Sequence, residues 1–183
     1  MESRPRFVIL MHPLEARHPV GTGRLAHRSL SNSTLWVGAE FGEDSELGFL
    51  VRNPTLRPLL LFPGPQSHNL SRMSGEERAS WFEGEREAVV IVIDATWDLA
   101  QKMLHHSPPL QRIERISFEA ESRSRFEIRK QPRPECLSSV EAMERVLELV
   151  HGREAARPQS QNMMRLFLKM VAHQKSFSLK DRA

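Results

Sequence analysis

Apolar residues in this chain gather into short runs separated by longer polar stretches, and one run sets the frame for the rest. Ala88 to Ile93 is six consecutive apolar residues rich in β-branched side chains. A strand without polar alternation is buried on both faces, as inside a parallel sheet. The run ends at a carboxylate, Asp94, and the period then changes. Trp97, Ala100 and Leu104 recur at helical spacing and predict a helix with that stripe against the sheet. Strand, polar turn and helix form the junction where open α/β sheets bind ligands, outside the carboxyl end of a central strand. Asp94 and Thr96 therefore stand where chemistry is expected. Short polar residues here equally suit a helix cap, worth about 1 kcal/mol, and Trp97 suits ordinary core. Spacing leaves both readings open.

The other runs extend the same pattern. Arg6 to Met11 predicts a first strand, and prolines on both sides of the following patch, His12 to Pro19, predict a rigid loop. Gly21-Thr22-Gly23-Arg24 opens a helix to Leu30 with Thr22 as its cap; neither a dinucleotide fingerprint nor a P-loop can be completed there. Thr34 to Val37 predicts a strand closed by Gly38, and 41–53 holds one or two helical turns. Leu59 to Phe62 predicts a strand stopped by Pro63-Gly64-Pro65. Ser74 and Glu77 form a capping box for a helix through Trp81.

Beyond the central helix, Pro108-Pro109 breaks the chain and 111–118 reads as a partly exposed strand. Residues 121–133 carry five basic side chains, Arg123, Arg125, Arg129, Lys130 and Arg133, against two acidic ones, around an extended segment at 126–129. That is either an RNA-facing patch or an edge strand protected by charge. Ser138 and Glu141 make a second capping box, opening a helix with Val140, Met143, Leu147 and Val150 inward and Gly152 as its stop. The last helix is expected to start after Pro158, near Ser160.

Composition narrows the class. The 183 residues suit one domain, 1–183, rather than two. A net charge of +3 permits a polyanionic partner without demanding one. The single cysteine, Cys136, rules out an internal disulfide or a multi-cysteine zinc site. No apolar run approaches the roughly 20 residues of a membrane span, and no targeting segment is expected before the first strand. A cytoplasmic α/β protein with a mostly parallel sheet and helices on both faces is expected.

Four stretches in order resemble one family. Asp94-Ala95-Thr96-Trp97 matches the Asp-x-Thr-Trp turn that names the DTW domain. His12-Pro13-Leu14-Glu15 with Thr22-Gly23-Arg24, then Leu61-Phe62-Pro63-Gly64, then 126–129 with Ser138-Ser139-Val140-Glu141-Ala142, match its other motifs. The resemblance implies a SPOUT-like α/β fold with a carboxyl-terminal knot, a form rare in proteins generally. It also implies tRNA-uridine aminocarboxypropyl transfer, with S-adenosylmethionine as donor, tRNA as partner and 5′-methylthioadenosine as by-product. Departures are visible: no amino-terminal cysteine cluster, so no metal is expected; phenylalanine for tyrosine at 62 and 126; serine for threonine at 139.

By position within that resemblance, Asp94, Thr96 and Trp97 are the catalytic candidates. Asp94 is expected either to take the uracil proton or to hold the donor's amino group. Trp97 is expected to pack with its edge at the pocket. Leu61, Phe62, Pro63 and Gly64, with Ser138, Ser139 and Glu141 at a helix start, are expected to line the donor site. Glu15, Arg17 and Arg24, after the first strand, are expected to approach the same crevice as substrate-binding residues, Arg123, Arg125 and Lys130 to face RNA, and Arg129 to serve either RNA phosphate or the donor carboxylate; for each arginine a surface ion pair is an equal alternative. The alternatives are a SPOUT-like RNA methyltransferase, an rRNA aminocarboxypropyltransferase, or an RNA-binding module without activity.

Overall fold

A computed structural model describes residues 4–128 and 136–180. In chain order the elements are β1 (Arg6–Met11), α1 (Pro13–Ala16), α2 (Thr22–Ser29), β2 (Ser33–Val37), α3 (Glu46–Arg52), β3 (Leu56–Leu61) and β4 (His68–Asn69). They continue with α4 (Gly75–Phe82), β5 (Glu87–Asp94), α5 (Trp97–His106), α6 (Pro108–Gln111), β6 (Glu114–Ser117), α7 (Ser139–His151) and α8 (Arg153–Lys180). The six strands form one sheet in the order β2-β1-β5-β3-β6-β4, with every pair parallel. The fold is α/β and consistent with a SPOUT-like architecture.

β5 lies between β1 and β3 and is apolar on both sides because both faces are covered. Its parity sorts the molecule into two layers. Ala88, Val90 and Val92 meet a core built with Phe7, Ile9, Leu59, Ile116 and side chains of α2, α7 and α8. Val89 and Ile91 meet Val8, Leu10, Leu60, Phe62, Leu47, Met103 and Leu110, the layer of α3, α5 and α6. Asp94, two residues past Val92, points toward the α2 and α7 side.

Several sequence expectations are corrected. Pro13 does not forbid a helix; it occupies the first turn of α1, where its missing N–H costs nothing, and His12 Nδ1 caps that turn at Leu14 N, 3.2 Å away. Pro108 likewise starts α6. β6 is partly exposed, as expected, but spans only Glu114–Ser117 and lies inside the sheet between β3 and β4. α8 begins at Arg153 and runs through Pro158. Its buried stripe, Ala156, Ser160, Met163, Met164, Phe167 and Val171, already starts before the proline, so packing outweighs one missing hydrogen bond. Gly152, at φ 80°, turns the chain between α7 and α8. Residues 126–128 are a turn, not a strand, because Phe126 is drawn inward against Phe167, centroids 5.7 Å apart. Trp97, assigned above to the buried stripe, is 37% exposed, while Ala100 and Leu104 are buried.

No helix among the described residues is long and apolar enough to cross a membrane, and no group of three or more His, Cys, Asp or Glu there could hold a metal ion.

Candidate active site

The carboxyl ends of β1, β5 and β3 lie side by side, and their following turns carry the polar side chains of interest. Asp94 ends β5 and is 4% exposed. Its Oδ1 accepts the Ser139 hydroxyl at 2.6 Å and, more weakly, the Thr22 hydroxyl at 3.4 Å. Oδ2 is buried with no hydrogen-bond partner of full geometry among the described residues. Thr22 and Ser139 are the first residues of α2 and α7, so the carboxylate faces the amino ends of two helices, whose partial positive charge suits an anion. On the β1 side, His12 N donates to Asp94 O at 3.0 Å.

The local sequence explains this convergence. Gly21 takes the cap position of α2 but has no side chain to cap with, which leaves the Thr22 hydroxyl for Asp94. The expectation that Thr22 caps the helix is therefore corrected. Gly23 is required for a different reason: a Cβ there would lie 2.5 Å from Asp94 Oδ2 and 2.6 Å from Cγ. Gly-Thr-Gly is thus neither a plain turn nor a phosphate cradle; it is a hydroxyl and a gap fitted to one carboxylate. Asp94 does not cap α5. Thr96 holds that cap position without a side-chain bond, and it is exposed.

Burial is the largest influence on the Asp94 carboxyl and pushes its pKa up. The Ser139 hydroxyl pulls it down, the charge of buried Glu15 pushes it up, and the Gly23 amide and Thr22 hydroxyl pull it down; the balance lies above the ordinary carboxylate value. Glu15 reaches this neighbourhood from α1, as its place after the first strand suggested. Arg24, on α2, donates to Ala16 O and so fastens α2 to α1. Arg17 is exposed at the end of α1.

The opposite layer holds the second half of the site. Phe62, just past β3, stacks on Trp97 with centroids 5.1 Å apart and planes 12° from parallel. Leu61 faces the other layer, and Pro63 and Gly64 form the turn closed by Ser67 Oγ on Gly64 O at 2.7 Å. A cleft of about 510 Å³ beside the stack is lined by Phe62, Gln101, Leu104, His105, Gln111 and Arg115; Asp94 does not line it.

At the start of α7 the capping box predicted from Ser138 and Glu141 is present. Glu141 does more than cap. It is buried and accepts from Ser138 N, Ser138 Oγ, Ser124 Oγ and Arg125 N at 2.6–3.0 Å, holding 124–126 against the helix. Its carboxylate is saturated by protein donors, so it anchors the helix start rather than offering itself to a ligand. Arg125 is paired with Glu144 at 3.1 Å and Arg123 is exposed. Arg129 and Lys130 lie outside the described residues. The structure thus joins Asp94, Ser139 and Glu15 in one cluster and Phe62 with Trp97 in another. Thr22, Gly23 and Arg115 are its additions; only the Gly-Thr-Gly spacing gave any signal for the first two.

A parallel α/β sheet with polar side chains collected at the carboxyl ends of its central strands defines a domain of the ligand-binding or catalytic α/β class. More particularly, the chain belongs to the DTW domain family, whose model matches residues 1–175. It is similar to a Drosophila melanogaster protein named tRNA-uridine aminocarboxypropyltransferase 2, 26% identical over 157 residues, covering 83% of this chain and 59% of that one. Proteins of the same name from Macaca fascicularis and Mus musculus are each 26% identical over 137 residues, covering 73% of this chain and 43% of theirs. The chain therefore spans about half the length of these curated relatives. No solved structure matches it.

Proposed function

We propose that this chain transfers the 3-amino-3-carboxypropyl group of S-adenosylmethionine to a uridine base of tRNA, leaving 5′-methylthioadenosine. Family membership and the names of the relatives supply the reaction class. The observation that carries it to particular residues is the buried Asp94 carboxylate at the carboxyl end of the central strand, whose Oδ2 has no hydrogen-bond partner of full geometry among the described residues.

The residues present fit the donor. Its sulfonium and ammonium call for nearby negative charge, which Asp94 and Glu15 provide. Its carboxylate suits a helix amino end such as that of α7. Its adenine, or the uracil, suits the exposed part of Trp97. When bound, the donor supplies an electrophilic methylene carbon beside the sulfonium. The protein's part is to hold the base in line and to take the proton from its ring nitrogen. A carboxyl whose pKa is raised by burial is better matched to that task than an exposed one.

One set of contacts favours a different role for Asp94. Its Oδ1 already accepts two hydroxyls and its side chain is 4% exposed, as expected of a group that only ties β5 to α2 and α7. The deciding experiment incubates purified protein and unmodified tRNA with S-adenosylmethionine labelled either in its carboxyl carbon or in its methyl carbon. Carboxyl label in tRNA supports the proposal, methyl label makes the protein a methyltransferase, and neither label leaves an RNA-binding module. Repeating the assay with Asp94→Asn separates the roles: a loss of about a hundredfold or more with a folded protein supports proton transfer, and activity within a few fold of wild type leaves Asp94 as architecture.

A further inference from the structure

We propose that Arg115, at the floor of the cleft beside the Phe62–Trp97 stack, binds a phosphodiester of the RNA strand next to the modified uridine. This rests on the RNA-substrate reading above and assigns one of its contacts.

Arg115 differs from comparable arginines of the fold. Half-buried Arg57 pairs with Glu114 at 3.3 Å, Arg78 donates to Leu70 O at 3.0 Å, and Arg145 pairs with Glu121 at 2.7 Å. Arg115 is half-buried too, yet it has neither a hydrogen bond nor an ion pair among the described residues. Its position on β6, opposite Leu60, directs it to the layer of α5 and α6. There its Nη1 lies near the Pro63-Gly64-Pro65 turn, 3.7 Å from where a Cβ on Gly64 would stand. A guanidinium partly withdrawn from water, with five donors and no acceptor, suits an anion from outside.

The cleft indicates which anion. No carboxylate lines it; Gln101, His105 and Gln111 add neutral or basic polar groups, and Phe62 forms its apolar wall. It opens to solvent on the α5 side, where Gln101, His105 and Gln111 are exposed. Small ligands are usually enclosed over most of their surface, whereas a nucleic-acid backbone needs only a guanidinium fork and a passage. The cleft also adjoins the 94–97 turn without containing Asp94, so a strand passing through it can present a neighbouring nucleotide to the carboxylate side.

The test measures binding of an unmodified tRNA transcript by fluorescence anisotropy across a salt series, without donor or turnover. Arg115→Gln should weaken binding several-fold and flatten the slope of log affinity against log salt by roughly 0.7 to 0.9, the value for one phosphate contact. Arg115→Lys should restore the slope. Because Arg115 makes no hydrogen bond or ion pair among the described residues, the unfolding midpoint of Arg115→Gln should match wild type, and calorimetry should give an unchanged affinity for S-adenosylmethionine. Unchanged tRNA affinity and slope in Arg115→Gln would overturn the inference. So would a loss of donor affinity with the slope intact, which would put the guanidinium on the donor carboxylate. Failure of the transfer reading is distinguishable, since it shows as absent label transfer by wild type whatever the salt slope does.

Discussion

Replacing Gly23 by alanine is the most direct test of the carboxylate cluster. Gly23 lies in the second position of α2, and its φ is not in the left-handed region. In an unobstructed helix the substitution would stabilise by up to about 1 kcal/mol through helix propensity. Here the new methyl would meet three Asp94 atoms, Oδ2 at 2.5 Å, Cγ at 2.6 Å and Cβ at 2.9 Å, each about 1 Å inside ordinary contact. Asp94 cannot swing aside without giving up Ser139 at 2.6 Å, and its backbone is fixed in β5. α2 must move instead, which ends the Thr22 contact that is already 3.4 Å long. Overpacking of this kind costs about 1–3 kcal/mol. Set against the full propensity gain, the net loss is about 0–2 kcal/mol, which lowers a urea midpoint by up to roughly 1 M at a slope near 2 kcal/mol/M. Asp94→Ala removes two of the three close atoms, so Gly23→Ala should cost measurably less in that background, a positive coupling in a double-mutant cycle. A midpoint for Gly23→Ala above that of wild type would refute the cluster as described.

Ser139→Ala removes the shortest bond to Asp94 and should cost about 1.5–3 kcal/mol, the range for hydrogen bonds to charged groups; a change under about 0.5 kcal/mol in urea denaturation would contradict it. Asp94 itself gives a pH signature. Its folded pKa lies above its unfolded value of about 3.9, so its favourable contribution is complete below that value and is lost as pH rises through the folded pKa. Asp94→Asn should therefore gain stability relative to wild type as pH rises across that window, and a difference independent of pH would show that the carboxyl is not raised. If Asp94 takes the uracil proton, wild-type kcat should rise with pH through the same elevated pKa, and a flat profile there would argue against the role.

Elements dictated by local pattern are legible in the chain itself. Ala88 to Ile93 needs two covered faces, and the chain supplies them; Ser74 with Glu77 and Ser138 with Glu141 are self-contained caps, and both are formed. Elements set by tertiary packing were not readable. Pro158 looks like a helix boundary until the stripe from Ala156 to Val171 is seen to need both sides of it. Residues 126–128 look extended until Phe126 is found in the core. The site divides in the same way. Asp94 could be singled out from strand, turn and helix alone, but its partner Thr22 is 72 residues away and Ser139 is 45. Only the folded chain shows that Gly23 is a gap rather than a turn.

Of the departures from the pattern that the resemblance implies, the three side-chain replacements differ in consequence. Ser139 replaces threonine, but the atom that reaches Asp94 is Oγ, which both residues carry, so the bond survives and only a methyl is lost. Phe126 replaces tyrosine where the ring is buried against Phe167, so the missing hydroxyl leaves an apolar contact intact and removes no donor from the Asp94 cluster. Phe62 is the consequential one. Its ring is both the wall of the cleft and the support under Trp97, and without a hydroxyl that wall has no polar group of its own. The polar side chains of the cleft are therefore Arg115, Gln101, His105 and Gln111, while the aromatic stack holds the indole just past the end of β5. Activity with Phe62 in place follows if the aromatic surface, rather than a phenol, is what that position contributes.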